Sequence, residues 1–243
     1  MTELKTTSLA QIVNANHKTA FVFEKYNLDF CCKGKRSLQQ ACAENNAPVE
    51  QIIAELNNVA ISVDIGTDFN KMSFSQLTDY IVLTHHAYVK QKMPSILDYL
   101  QKVTSKHGQR HPEMFKVLEI FSVVQEEMKL HMEKEELVLF PRIKALEETT
   151  IENSLRNKEL SYLQSPLALL EEEHDHAGSL MDEIRWLTTN YTPPADACTT
   201  YQLSFASLQD FEFNLHQHVH LENNILFPKA LNLFKEMHEA SLN

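Results

Sequence analysis

His131-Met132-Glu133-Lys134-Glu135-Glu136-Leu137-Val138-Leu139-Phe140-Pro141 returns 87 residues later as His218-Val219-His220-Leu221-Glu222-Asn223-Asn224-Ile225-Leu226-Phe227-Pro228. Both stretches read H-x-x-x-E-x-x-x-L-F-P. On a helix, positions i and i+4 share a face, so each copy points one imidazole and one carboxylate the same way. A single copy is commonly a surface His–Glu contact. Two matched copies on apolar helices describe a cage of nitrogen and oxygen ligands across a helix bundle, and a metal is the usual reason to build one.

The rest of the chain supports long helices. Only four glycines occur in 243 residues, with 43% hydrophobic residues, which disfavours an all-β or doubly wound fold. Each long helix carries an apolar stripe in which a histidine replaces an apolar residue. The first, expected over 74–105, gives Val82, His86, Val89, Met93 and Ile96. The second, over 112–146, gives Phe121, Val124, Met128, His131, Glu135 and Val138. The third, over 166–189, gives Leu167, Leu170, His174, Ala177, Met181 and Ile184. The fourth, over 195–238, gives Tyr201, Phe205, Leu208, Phe211, Leu215, His218, Glu222 and Ile225. The expected fold is all-α: an up-down-up-down four-helix bundle over 74–243, preceded by a linker at 61–73 and a small helical module at 1–60. Prolines 141 and 228 are expected to bend the second and fourth helices near their ends. The polar segment 147–164 carries no clear element.

One buried histidine per helix, two of them followed by a glutamate, is hard to satisfy without metal. His86 to His131 spans 45 residues and His174 to His218 spans 44, so each half is a hairpin supplying His and then His-x-x-x-Glu. Four imidazoles and two carboxylates can hold two ions about 3.5 Å apart, bridged by Glu135 and Glu222, with an open position for a diatomic molecule. Ligand type alone leaves iron, manganese, zinc and copper open. His85 competes with His86, but shares a face with Ile81 and Tyr88. His176, His216 and His220 lie off the stripes and are read as surface residues. Glu127 and Glu171 lie near the cage along the helices and are read as solvated carboxylates.

The small module is expected to hold a helix over 8–26 capped by Ser8, a short helix from Ser37 to Asn45, and a third opened by Pro48. Between them lies the pair Cys31-Cys32. Lys33, Lys35 and Arg36 could lower a thiol pKa there and give a reactive thiolate. The alternative is two buried small hydrophobes. Net charge is −11, but residues 1–60 balance six basic against six acidic side chains, leaving 16 against 27 in the remainder. That acidity disfavours nucleic-acid binding. No run of 18 apolar residues suggests a membrane span, and Met1-Thr2-Glu3-Leu4-Lys5 lacks a signal-peptide pattern, so a cytoplasmic protein with reduced thiols is expected.

Asp29-Phe30-Cys31-Cys32-Lys33-Gly34-Lys35 resembles the N-terminal module of the RIC (repair of iron centres) proteins, the ScdA/YtfE type. Residues 76–230 resemble their hemerythrin-like di-iron domain, with Glu173-His174-Asp175-His176-Ala177-Gly178, the Pro193–Thr200 stretch and Leu221–Pro228 close to family motifs. The resemblance implies ligands at His86, His131, Glu135, His174, His218 and Glu222, and a vicinal thiol pair at Cys31 and Cys32. It implies two iron ions per chain, bridged by the carboxylates and an oxo group. It further implies a cytosolic bacterial stress protein that restores iron–sulfur clusters damaged by nitric oxide or oxidants, supplying iron from this site. Reduction of nitric oxide, gas sensing and iron storage are the alternatives. Expected partners are damaged iron–sulfur proteins and nitric oxide or another diatomic ligand. Nucleic acid and membranes are not expected, and a homodimer is left open.

Overall fold

The computed structural model describes residues 2–61, 67–148 and 161–240. Most of the polar segment 147–164 and the centre of the linker therefore lie outside the described residues. All regular elements described are helical.

The first sixty residues form five short helices: α1 (Thr2–Thr6), α2 (Leu9–Ala15), α3 (Ala20–Lys25), α4 (Leu38–Glu44) and α5 (Val49–Ile61). Ser8 and Ser37 each form the expected capping box, with Gln11 and Gln40 reaching back. The single helix expected over 8–26 is divided at Asn16. Its side chain accepts from the Lys18 N–H, while the Thr19 hydroxyl donates to its carbonyl at 2.7 Å. Such local bonds offer the backbone an alternative to the helical ladder. A short 3₁₀ turn, His17–Thr19, follows before α3 begins.

The four long helices follow. α6 runs as Phe74–Tyr80, Ile81–His86 and Ala87–His107, capped by Ser73 and Gln76 as expected. α7 runs as Glu113–Lys134, Glu135–Leu139 and Phe140–Glu148. α8 is Ser161–Leu187. α9 runs as Thr199–Leu221, Glu222–Leu226 and Phe227–Ala240. α6 packs on α7 and α9, and α8 on α7 and α9, closing the bundle.

The middle stretches of α6, α7 and α9 are π-helical. Phe140 N–H bonds to Glu135 O, and Phe227 N–H to Glu222 O, an i→i+5 pattern that inserts one residue into the turn. Pro141 and Pro228 lack an N–H and cannot join the ladder. The helices thus meet the two L-F-P prolines with a widened turn just before them and then continue. The freed carbonyl of Asn224, four residues before Pro228, accepts from Asn14 Nδ2 at 3.1 Å.

The extra residue moves the core stripe by one position. Val138, expected inside, is 44% exposed, and Leu139 is buried in its place. On α6 the buried residue is Ile81, while Val82 is only half-buried. α8 has no such turn, and all six of its expected stripe residues are buried.

Two apolar clusters flank the middle of the bundle. One holds Leu77, Ile81, Leu139, Phe140, Leu170, Leu226 and Phe227. The other holds Met93, Met128, Ala177, Met181 and Leu215, and runs on without interruption into Leu9, Phe23, Phe30 and Leu38 of the first sixty residues. The small module, marginal in size for a core of its own, therefore shares one with the bundle.

Candidate metal centre

Between the two apolar clusters lie His86, His131, Glu135, His174, His218 and Glu222, each no more than 2% exposed. The π turns position the carboxylates: Glu135 and Glu222 each open one, and His86 closes the third.

The six side chains form two groups that share both glutamates: His86 and His218 with Glu135 and Glu222, and His131 and His174 with the same pair. Within each group the potential ligand atoms lie within 4.8 Å of one another. Glu135 Oε2 is 3.3 Å from Nε2 of both His86 and His131. Glu222 Oε1 is 2.9 Å from His218 Nε2, and its Oε2 is 3.1 Å from His174 Nε2. Despite these approaches, both oxygens of Glu135 and Oε2 of Glu222 lack a hydrogen-bond partner.

The outer nitrogens decide what the inner ones present. His131 Nδ1–H donates to Glu173 at 2.9 Å, and His174 Nδ1–H to Asn223 Oδ1 at 2.9 Å. His86 Nδ1–H donates to Glu136 at 2.7 Å, and Lys90 holds that carboxylate from the other side at 2.6 Å. Lys134 does the same for Glu173. With Nδ1 committed to donation, the Nε2 atoms of His131 and His174 bring lone pairs face to face at 2.9 Å, and those of His86 and His218 stand 3.1 Å apart. Facing lone pairs beside unpartnered buried carboxylates require a cation or a proton between them. The donor set therefore fits metal.

Protons are what the cage holds without one. Burial disfavours charge on His86, but Glu135 and Glu222 outweigh it and raise its pKa to about 9. Burial is likewise overcome at His131, chiefly by Glu135, and its pKa reaches about 10. Burial opposes ionisation of Glu222 as well, yet His218, His174 and His86 hold it well below the usual carboxylate range. At His218 burial prevails, and the pKa falls.

Several expectations need correction. His85 belongs to neither group of potential ligands but is buried; its ring stacks on His218 with centroids 5.9 Å apart and planes at 7°, and it contacts Asn214. His220 is 3% exposed beneath Phe30, and His216 is half-buried, bonded to Glu24 at 2.6 Å. Both were read as surface residues because they lie off the bundle stripe; the small module covers them. His176 is exposed and contacts Glu127, also exposed. The acceptors behind the cage are Glu136, Glu173 and Asn223 rather than Glu127 or Glu171. Each is the sequence neighbour of a cage residue, and Glu136 and Asn223 occupy the same position of the repeated stretch, which is the signal that could have found them.

Cys31 and Cys32 stand apart from the cage, on the loop between α3 and α4. Lys33, Lys35 and Arg36 do not activate Cys31: its thiol is pushed well above the ordinary range by the hydrogen bond to Cys32 and by burial, with Asp29 adding to the effect. Arg36 turns instead to Glu44 and the carbonyls of Lys33 and Asp29. Gly34 allows a close approach, since a Cβ there would lie 2.1 Å from Phe30 O.

The bundle matches the hemerythrin HHE cation-binding domain over residues 78–230, and residues 5–60 match the ScdA_N domain, described as a domain of unknown function. A cation-binding domain together with these buried imidazoles and carboxylates points to an iron-binding site. The chain is 32% identical over 223 residues to proteins named iron–sulfur cluster repair protein YtfE from Enterobacter sp. (strain 638), Shigella boydii serotype 4 and Escherichia coli O157:H7. In each case this spans 92% of the chain and 96% of the relative. The chain belongs to this family of iron–sulfur cluster repair proteins. No helix among the described residues is long and apolar enough to cross a membrane.

Proposed function

We propose that the protein repairs damaged iron–sulfur clusters by supplying iron from a centre held by His86, His131, Glu135, His174, His218 and Glu222. The observation that carries this reading is the pair of four-residue groups sharing two buried carboxylates. It supports two ions, which Glu135 and Glu222 would hold jointly. When bound, ferrous iron would supply redox chemistry and open coordination positions. The residues themselves bind, orient and exchange protons. Glu136, Glu173 and Asn223 fix three imidazoles with Nε2 inward. The apolar clusters on both sides exclude water. Two carboxylates only partly neutralise two divalent ions, and the raised pKa values of His86 and His131 let protons take their place when iron leaves. Such a centre suits iron as cargo. The clients implied are damaged iron–sulfur proteins.

The test is reactivation of an apo or nitrosylated iron–sulfur enzyme under anaerobic conditions. Iron-loaded protein should restore activity faster and further than free ferrous iron at the same concentration. Equal restoration by the free ion would reject the proposal.

A second reading, reduction of nitric oxide, draws on the four protein residues in each group, which leave room for a diatomic ligand on each ion. Gas analysis over many turnovers with a reductant decides it. Nitrous oxide accumulating well beyond one equivalent supports it, and stoichiometric nitrosyl adducts reject it.

A further inference from the structure

The thiol pair is built more tightly than a loop needs. Asp29 Oδ1 accepts from the backbone N–H groups of Cys31 at 3.1 Å, Cys32 at 3.0 Å and Lys33 at 3.3 Å. These bonds fold the loop so that both side chains return to the carboxylate. Cys31 Sγ lies 3.3 Å from Asp29 Oδ1 and 3.8 Å from Cys32 Sγ. Two thiolates on one tetrahedral ion, each about 2.3 Å from it, stand about 3.8 Å apart. A sulfur and a carboxylate oxygen on the same ion stand about 3.6 Å apart, by the same geometry. A disulfide requires about 2.05 Å between sulfurs. The sulfur–sulfur spacing is that of a chelate, the sulfur–oxygen approach is slightly closer than in one, and all three residues offer a ligand atom within 4.8 Å of the others.

We propose that Asp29, Cys31 and Cys32 form a second, mononuclear site for a borderline-soft divalent ion such as Fe²⁺ or Zn²⁺, separate from the imidazole cage. All three residues line one cleft of about 470 Å³, from which a fourth ligand can enter. The cleft is lined by the cations Lys33, Arg36 and Arg185 and by the carboxylates of Glu24, Asp175 and Asp182, so a divalent cation meets no excess of positive charge there. Binding is a proton exchange. The ion forms bonds to both sulfurs and to the carboxylate, both S–H protons pass to solvent, and no electrons move. Thiolates are softer donors than the cage offers, so the two sites divide the metals by chemistry.

Its position relates it to the cage. Cys32 Sγ lies 3.9 Å from where a Cβ on Gly178 would stand, and Gly178 follows His174 by four residues, about 6 Å along the helix. On the other flank Asn224, two residues past Glu222, donates to Cys31 O at 2.8 Å. The loop is thus pinned to both helices of the second hairpin. Under the repair reading, the thiols would receive iron on its way to the sulfur ligands of a client. That role rests on the repair reading; the site itself does not.

The experiment uses full-length protein with its iron already loaded, titrated anaerobically with Co²⁺ alone. Cobalt thiolates give an intense near-ultraviolet charge-transfer band that cobalt on imidazole and carboxylate lacks, so displacement of cage iron cannot imitate the result. The band should saturate at one Co²⁺ per chain, with both thiol protons appearing in a weakly buffered solution and the iron content constant. Cys32→Ser should abolish it. Asp29→Asn, whose amide oxygen can still accept the loop N–H groups, should raise the Kd at least tenfold. Cys42→Ala and Cys198→Ala should change nothing. Circular dichroism checks that each variant is folded. Absence of the band in the wild type, its survival in Cys32→Ser, or an unchanged Kd in Asp29→Asn would overturn the site. Each result is read without the repair assay, so a failure here and a failure of the repair reading remain distinct.

Discussion

The two halves of the cage each take one histidine from each copy of the hairpin, yet they are finished differently. In the half built on His131 and His174, both outer nitrogens are bonded, to Glu173 and Asn223. In the half built on His86 and His218, only His86 is, through Glu136, and His218 Nδ1 has no partner. The repeat shows why. The residue after each shared glutamate, Glu136 or Asn223, serves the first histidine of its own hairpin, His86 or His174. The residue before each first histidine, His85 or Glu173, faces the second histidine of the other hairpin. Where Glu173 accepts a hydrogen bond from His131 Nδ1–H, His85 only stacks on His218. The six inward groups match across the repeat while the outer ring does not, so the halves should differ in affinity more than in geometry.

The largest effect should come from the residues that the halves share. Glu135→Leu or Glu222→Leu removes a carboxylate from both groups at once, so iron content should fall to below half of the wild-type value in either variant. Helicity should hold, because a buried charge gives way to an apolar side chain of similar size. Metal analysis and circular dichroism on each variant suffice. Retention of full iron by both would show that the carboxylates do not unite the halves.

Next come the outer acceptors. Glu173→Gln and Glu136→Gln keep an acceptor but lose its charge, and losses of this kind weaken metal sites about 10- to 100-fold. Each variant should bind one ion nearly as before and one more weakly, giving a biphasic iron titration. A uniform weakening of both ions would mean that the halves act as a single unit.

These halves also mark what the sequence could and could not disclose. The six inward residues stand out because each interrupts an apolar stripe of regular period, and on α8, whose turns are all regular, every expected stripe residue is buried, although the helix spans Ser161–Leu187 rather than 166–189. Val138 and Val82 were misplaced because that period takes every turn as α-helical, whereas a π turn adds a residue. Pro141 and Pro228 announce a disturbance near the ends of α7 and α9, and the π turns just before them are where it falls. His216 and His220 were misjudged for another reason: the surface they occupy is covered by Glu24 and Phe30, some 190 positions earlier, and no local pattern encodes that contact. For the Cys31–Cys32 pair the sequence leaves a reactive thiolate and a buried apolar pair open; the first rests on counting nearby cations along the chain, whereas the neighbours of Cys31 in space are Asp29 and Cys32.

A smaller effect follows from protons in the metal-free cage. His86 at about 9 and His131 at about 10 lie above the ~6.5 of an unfolded imidazole. Their stabilising charge is fully present below about pH 6.5 and is lost as pH rises through 9 and 10. Glu135 and Glu222 are lowered, so their contribution is present above their unfolded values and is lost only as pH falls below them. The Tm of metal-free protein should therefore decline from pH 7 toward 10. The gain in Tm on loading iron should widen over the same range, because the ion no longer competes with protons. A metal-free Tm that is flat or rises with pH would break this account of the empty cage.

The smallest expected effect tests whether the asymmetry is the sequence choice at a single position. His85 is held neutral, its pKa brought down to about 4 chiefly by burial and then by His218. Replacing it by phenylalanine keeps a ring over His218, removes no charge and loses only the contact to Asn214. His85→Phe should bind iron within about twofold of wild type. Placing a glutamate there instead reproduces what Glu173 provides in the other half: a carboxylate within reach of an unpartnered Nδ1–H. The gain from a charge-assisted hydrogen bond, about 1.5–3 kcal/mol, is opposed by the cost of burying the new carboxylate. We expect His85→Glu to tighten the weaker ion by less than tenfold and to narrow the gap between the two steps of an iron titration. The pair of variants separates the explanations. Equal behaviour of His85→Phe and His85→Glu would mean that the ring stack, not the missing acceptor, distinguishes the halves. Weaker binding in His85→Glu alone would mean that position 85 is not the counterpart of position 173.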